Sequence, residues 1–184
     1  SNTETGGTVG AREIFVSADE KVVMTLGQDG VVKFWDAADT RELATFSCQS
    51  ALITGITYAH LTKKLFVANR TGEVFGIDVN SARTGFSRRV ADGPAAAISV
   101  DRAGRFLATV SADVLSVWNA DSLDLICKVS VSTPRKILVR DRGEIVVLSL
   151  DGLMTAYSAS KCARLDAFGA AQDVRVIAVS QVDV

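Results

Sequence analysis

Apolar residues in this chain come in short alternating or continuous runs of about six, cut by tight polar turns, and the runs recur. From Val22 the chain reads VVMTLGQDGVVKFWDA, from Leu65 LFVANRTGEVFGIDV, from Phe106 FLATVSADVLSVWNA and from Ile145 IVVLSLDGLMTAYSA. Each is an apolar strand, a turn carrying Asp or Gly, and a second strand with a large residue near its end. Asp-Gly and Thr-Gly pairs supply the positive φ of a tight hairpin. The large residues Trp35, Ile77, Trp118 and Tyr157 are spaced by 42, 41 and 39 positions. That spacing defines a repeat of about 40 residues.

Each hairpin is preceded by another strand and a polar turn: EIFVSADEK from Glu13, GITYAHLTKK from Gly55, AAISVDRAGR from Ala96 and KILVRDRGE from Lys136. A fourth strand follows: ELATFS from Glu42, TGFSRRV from Thr84, LDLICKVS from Leu123 and ARLDAFG from Ala163. The pattern predicts an all-β chain of four units of four short antiparallel strands, over about 11–47, 53–90, 95–130 and 134–169, after a flexible segment 1–10. Val174–Ser180 reads as one further strand, within 173–180, opening a fifth unit. No stretch has the 3.6-residue period of a long amphipathic helix. The second strands are expected to be the most buried, with Val23, Phe66, Leu107 and Val147 in the cores.

Four-stranded units of this length are blades of a β-propeller, and the chain resembles the WD-repeat family over roughly Gly6 to Gly169. Trp35-Asp36 is a full Trp-Asp ending, Ile77-Asp78 and Trp118-Asn119 are half-matches, and Tyr157-Ser158 keeps the aromatic alone. The family's Gly-His opening is absent; Gly6-Gly7 stands in its place. In that family a buried Trp, Ser/Thr, Asp and His form a hydrogen-bonded chain within a blade. The resemblance places Trp35, Thr25 and Asp29 in three of those roles, without the His, and puts Trp118 at the position equivalent to Trp35.

Rings of this family close with about seven or eight blades, so four units leave two outer sheet faces to be covered. Three arrangements meet that need. The chain is a segment of a longer propeller, or a second copy or another chain completes the ring, or the four units close on themselves.

Composition narrows the function. Twenty basic and 21 acidic residues leave a net charge of −1, which argues against a dedicated nucleic-acid or membrane-surface binder. No apolar run approaches the roughly 18 residues of a spanning helix. Cys48, Cys127 and Cys162 have irregular spacing and no Cys-x-x-Cys pair, which points to half-buried apolar side chains rather than a disulfide framework or zinc site, and to an intracellular setting, cytoplasmic or nuclear. His60, the one histidine, has no adjacent carboxylate or thiol partner and reads as a solvent-facing loop residue. No cofactor, metal or catalytic constellation is expected.

In a propeller, the turns between strands one and two and between three and four share one face. That face would gather Lys63, Lys64, Arg83, Arg102, Arg105, Arg140, Arg142 and Lys161, interleaved with Asp19, Glu20, Asp101, Asp121 and Asp141. The opposite face would gather Asp29, Asp92, Asp113, Asp151 and Asp173. The family resemblance implies a non-catalytic scaffold presenting loops to partner proteins in a larger assembly. Two other classes stand beside it: a ligand-binding or enzymatic propeller with a central-channel site, and a nucleic-acid or histone-tail reader using a charged face.

Overall fold

In a computed structural model the described residues are 10–48 and 52–169, and their regular structure is sixteen β-strands in four antiparallel four-stranded sheets. The expected strand 173–180 and the segment 1–9 lie outside them. The first sheet holds β1–β4 (Ala11–Val16, Val22–Gly27, Val32–Asp36, Glu42–Phe46) and the second β5–β8 (Ile53–Ala59, Lys64–Asn69, Glu73–Asp78, Arg83–Arg89). The third holds β9–β12 (Ala97–Val100, Phe106–Ser111, Val114–Asn119, Leu125–Ser130) and the fourth β13–β16 (Pro134–Arg140, Glu144–Ser149, Leu153–Ser158, Arg164–Gly169). Strand order in every sheet follows the sequence, so each is a meander joined by short hairpins. The sheets group as two compact units, the first two up to Ala95 and the last two from Ala96.

The repeat extends to the backbone irregularities. Each sheet carries a bulge between its third and fourth strands, at Phe34/Trp35, Gly76/Ile77, Val117/Trp118 and Ala156/Tyr157. The extra residue is on the fourth strand, Leu43, Gly85, Ile126 and Leu165 in turn, and it bends that outer strand while the third strand keeps its alternation. A second bulge joins the first two strands of sheets one, two and four. The hairpin between strands two and three is left-handed at Gly30, Gly72 and Gly152, and Ala112 takes that conformation in the third sheet (φ 47°). Pro134 is the first residue of β13, where a missing N–H is tolerated.

Within the first unit, alternation sends Met24, Leu26, Val32 and Phe34 to one face of sheet one, against Ile56, Tyr58, Leu65, Val67 and Ile77 of sheet two. Within the second, Ala108, Val110, Leu115 and Val117 of sheet three meet Val139, Ile145, Val147 and Tyr157 of sheet four. The rule is the same in both units: the following sheet offers the face that bears its Trp-position residue, and the preceding sheet offers the opposite face.

Phe66, Leu107 and Val147 are buried as expected, whereas Val23 is only half-buried. Opposite-residue register explains this. Val23 pairs Trp35 and Leu107 pairs Trp118, so these two are equivalent, and Phe66 and Val147 occupy the next two positions along their strands. Val23 therefore lies on the face of sheet one turned away from sheet two.

Gly76 stands where sheet one has Phe34 and sheet three has Val117. The missing side chain is replaced from the neighbouring strand: the Phe86 ring lies where a Cβ on Gly76 would project, 6.2 Å from the Phe66 ring centroid. Phe66 thus supports both its own strand and this substitute packing. Phe66→Ala is expected to lower unfolding free energy by about 3–5 kcal/mol, read from urea denaturation followed by circular dichroism.

Candidate interaction surface

The Trp-position residues are held by side-chain pairs that cross from strand two to strand three. Trp35 Nε1 donates to Thr25 Oγ1 at 3.0 Å, and Trp118 Nε1 donates to Thr109 Oγ1 at 2.9 Å. Thr109 was not singled out from the sequence: it lies nine residues before Trp118, whereas Thr25 lies ten before Trp35, and the two match only once register shows each to be two residues past the partner of its Trp. Where the indole is absent the hydroxyl is absent too. Ile77 goes with Val67, and Tyr157 with Val147, at the same register positions. With no indole N–H to satisfy, valine can stand in place of threonine without leaving that donor buried and unpaired, the costly alternative.

Asp29 does not join the Trp35–Thr25 pair. It is exposed in the β2–β3 turn, where Oδ1 accepts the Val31 N–H at 3.1 Å. Asp151 does the same for Leu153 N–H at 3.0 Å. A short acidic side chain two residues before a free N–H closes an Asx turn, and that local bond takes the carboxylate away from the blade interior. On the same end of their sheets, Asp92 lies 3.8 Å from Arg89 and the Asp113 carbonyl accepts Val131 N–H. Asp173 lies outside the described residues.

The turns between first and second strands use their charges to join neighbouring sheets. In the first unit, Asp19 accepts from Ser17 Oγ at 2.7 Å through Oδ1 and from Lys63 Nζ at 3.1 Å through Oδ2. Ser17 and Asp19 belong to the β1–β2 turn and Lys63 to the β5–β6 turn. Tyr58 OH, on β5, accepts the Ala18 N–H at 3.2 Å, adding a second tie from sheet two to the β1–β2 turn. Hydrogen bonds from Ser17 first and Lys63 second hold the Asp19 carboxyl down at about 2, while burial pushes the Tyr58 hydroxyl up. His60 differs from its expected solvent-facing role: it is half-buried, its ring edge-on to Tyr58 at 4.7 Å.

In the second unit, Asp101 is fully buried and accepts the N–H groups of Arg105 and Phe106 through Oδ1 and the Arg105 Nε through Oδ2. The same guanidinium reaches the Asp141 carbonyl in the β13–β14 turn, and Asp141 Oδ1 accepts Arg102 N–H at 3.0 Å. Arg105 therefore links two turns as Lys63 does in the first unit.

Of the basic residues expected on this rim, Lys63, Arg105 and Arg140 form ion pairs with Asp19, Asp101 and Glu144. Lys64 Nζ lies 5.7 Å from the centre of the Phe86 ring. Arg102 is half-buried, and Arg83, Arg142 and Lys161 are exposed. Of the acidic residues interleaved with them, Asp19, Asp101 and Asp141 take part in sheet-to-sheet joints.

The cysteine expectation is corrected. Cys127 on β12 and Cys162 in the β15–β16 turn form a disulfide, with Cα atoms 5.8 Å apart. Spacing along the chain could not show this, because the bridge joins two repeats at non-equivalent positions. The pattern of unpaired cysteines that pointed to a reducing compartment is thereby lost. Cys48 is free, its thiol pushed up by burial. Among the described residues no group of three or more His, Cys, Asp and Glu side chains could hold a metal ion, and no helix is long and apolar enough to cross a membrane. A depression of about 410 Å³ beside the β1–β2 turn is lined by Glu20, Lys21, Asp36, Ala37 and Ala38. It contains no nucleophile–base pair of the kind catalysis needs.

No protein-family model and no curated protein sequence matches the chain. Solved structures do. One described as the structure of U3-55K aligns with a TM-score of 0.78 at 14% identity, covering 89% of this chain and 53% of that one. Another, of RRP9 WD40 repeats, aligns with a TM-score of 0.76 at 14% identity, covering 87% and 51%. The fold is therefore that of a WD40-repeat β-propeller. The chain spans about half the length of these two structures.

Two measurements bear on the pairs described above. Thr109→Val leaves the buried Trp118 N–H without its acceptor and is expected to cost about 1–3 kcal/mol of stability, with Trp118→Tyr/Thr109→Val, which copies the fourth sheet's pair, costing less than the sum of its singles. Asp19 has a folded pKa below its ordinary 3.8, so its contribution is present above 3.8 and is lost as pH falls towards about 2. Across that window the wild-type urea midpoint should fall further than that of Asp19→Asn; equal slopes would show that the carboxylate carries no such linkage.

Proposed function

We propose that this chain is a non-catalytic scaffold that binds other proteins through the turns at the ends of its blades, as part of a larger assembly. The observation that carries the reading is the fixing of those turns. Asp19–Lys63 and Tyr58–Ala18 in one unit, and Asp101–Arg105–Asp141 in the other, hold neighbouring turns in set positions. Loops already held in place lose little conformational freedom when a partner docks, which favours affinity. Arg83, Arg142 and Lys161 remain exposed beside them and suit acidic groups on a partner. The general use of WD40 propellers as interaction platforms supports the same reading.

An intracellular setting, cytoplasmic or nuclear, belongs to this proposal. It requires the Cys127–Cys162 bridge to persist against cellular thiols, and the burial of Cys162 limits the access that thiol exchange needs.

The test places a photo-crosslinking residue at Arg142, at Lys161 and, as a control, at the exposed Thr45 on β4, followed by irradiation in cell extract and mass spectrometry. Discrete protein adducts enriched at the two turn positions are expected. Adducts equal at all three positions, or saturable DNA binding that weakens steeply with salt, would replace the scaffold reading, the second in favour of a nucleic-acid reader.

A further inference from the structure

The second unit is cross-linked at a place where the first is not. Cys127 lies on β12 opposite Val117, and Cys162 closes the β15–β16 turn, its N–H donating to the Ser158 carbonyl at 2.8 Å. Register and turn geometry fix their counterparts in the first unit. Ala44 lies opposite Phe34, directly after the bulged residue of β4, as Cys127 does on β12. Ala82 lies five residues past Ile77, as Cys162 lies five past Tyr157, and both take the left-handed conformation at φ 52°. Ala44 and Ala82 pack against the first core as Cys127 and Cys162 pack against the second. The same joint between consecutive sheets is thus made by two methyl groups in one unit and by a disulfide in the other. Packing alone closes it in the first unit, so the bond is an addition to the fold and not a condition of it.

The two sulfurs differ in access. Cys162 is 6% exposed, whereas Cys127 is half-buried on a strand whose neighbouring residues Ile126 and Lys128 are exposed. A thiolate arriving from outside therefore reaches Cys127 Sγ and not Cys162 Sγ. The Ala159 carbonyl stands 3.6 Å from Cys127 Sγ, an acceptor in place for the thiol once the bond is open. Two unbonded thiols are also bulkier than the alanine pair that fits the equivalent joint, so opening the bond pushes β12 and the β15–β16 turn apart.

We propose that the Cys127–Cys162 bond is a redox-set lock on the joint between sheets three and four, opened by a protein dithiol of the Cys-x-x-Cys kind. One thiolate of the reductant attacks Cys127 Sγ, the Cys127–Cys162 bond breaks, and Cys162 leaves as a thiolate that takes up a proton. The reductant's second thiol then attacks its own sulfur in the mixed disulfide and releases Cys127 as a thiol. The chain gains two electrons and two protons, and the reductant ends as a disulfide. A monothiol has no second group at hand for that last step, so the bond outlasts glutathione and yields to the dithiol. The released turn carries Lys161, which the scaffold reading offers to partners. The lock itself does not rest on that reading and is tested without a partner.

Thiol alkylation and hydrogen exchange of the folded 184-residue chain, both read by mass spectrometry, supply the test. The oxidised protein should alkylate at Cys48 at most. Thioredoxin, kept reduced by its reductase and NADPH, should expose Cys127 and Cys162 about tenfold faster than glutathione at the same thiol concentration. Amides of β12 and of the β15–β16 turn should then exchange about tenfold faster, while those of β4 keep their rate. Cys127→Ala/Cys162→Ala, which copies the first unit's pair, should keep its β-sheet circular dichroism and show no response to reductant. A bond that resists thioredoxin until urea unfolds the chain would overturn the lock, as would exchange left unchanged by reduction. A double variant that fails to fold would make the bond a condition of the fold and overturn it too. So would a double variant whose exchange still rises with reductant.

Discussion

A four-stranded sheet that is apolar on both faces needs a neighbour on each side, and most of the molecule's features follow from that constraint. In the first unit, Met24, Leu26, Val32 and Phe34 have no route out of water except against the next sheet. The hairpins are short because consecutive strands lie side by side, and the bulge before each Trp-position residue recurs at one place because every sheet must present the same contour. The face that meets the neighbour is chosen by strand parity. A one-residue slip would exchange it for the other face.

Given such packing, individual side chains are free to change in concert. Trp35–Thr25 and Trp118–Thr109 are polar pairs, while Ile77/Val67 and Tyr157/Val147 fill the corresponding space without an indole–threonine bond. Gly76 gives up a side chain that Phe86 supplies from the adjoining strand. These differences leave no indole donor without an acceptor, and the Trp-Asp ending varies among sheets that share one pairing pattern. At the turns, charge works in the same way. Asp19–Lys63 and Asp101–Arg105–Asp141 differ in residue type and geometry, yet each ties the first turn of one sheet to the first turn of the next.

Much of the architecture was legible in the chain because it depends on local rules. Alternation of apolar and polar residues, Asp-Gly and Thr-Gly turns, and a spacing of about 40 residues are properties of neighbours in sequence, and they determined sixteen strands in four meanders. What the sequence could not determine were relations between residues far apart. Val23 was expected in a core because its strand is apolar; only the placement of sheet two, on the other face, left it half-covered. Asp29 looked like a network residue by position, and a turn N–H two residues away claimed its carboxylate. Cys127 and Cys162 pair across two repeats at non-equivalent positions, so no period in the chain could announce them. The rim arginines and lysines read as a surface for partners, and the tertiary structure spent Lys63 and Arg105 on joints between sheets. Periodicity carries the unit and its two faces; which groups meet across those faces is decided by three-dimensional proximity, on which spacing along the chain has no hold.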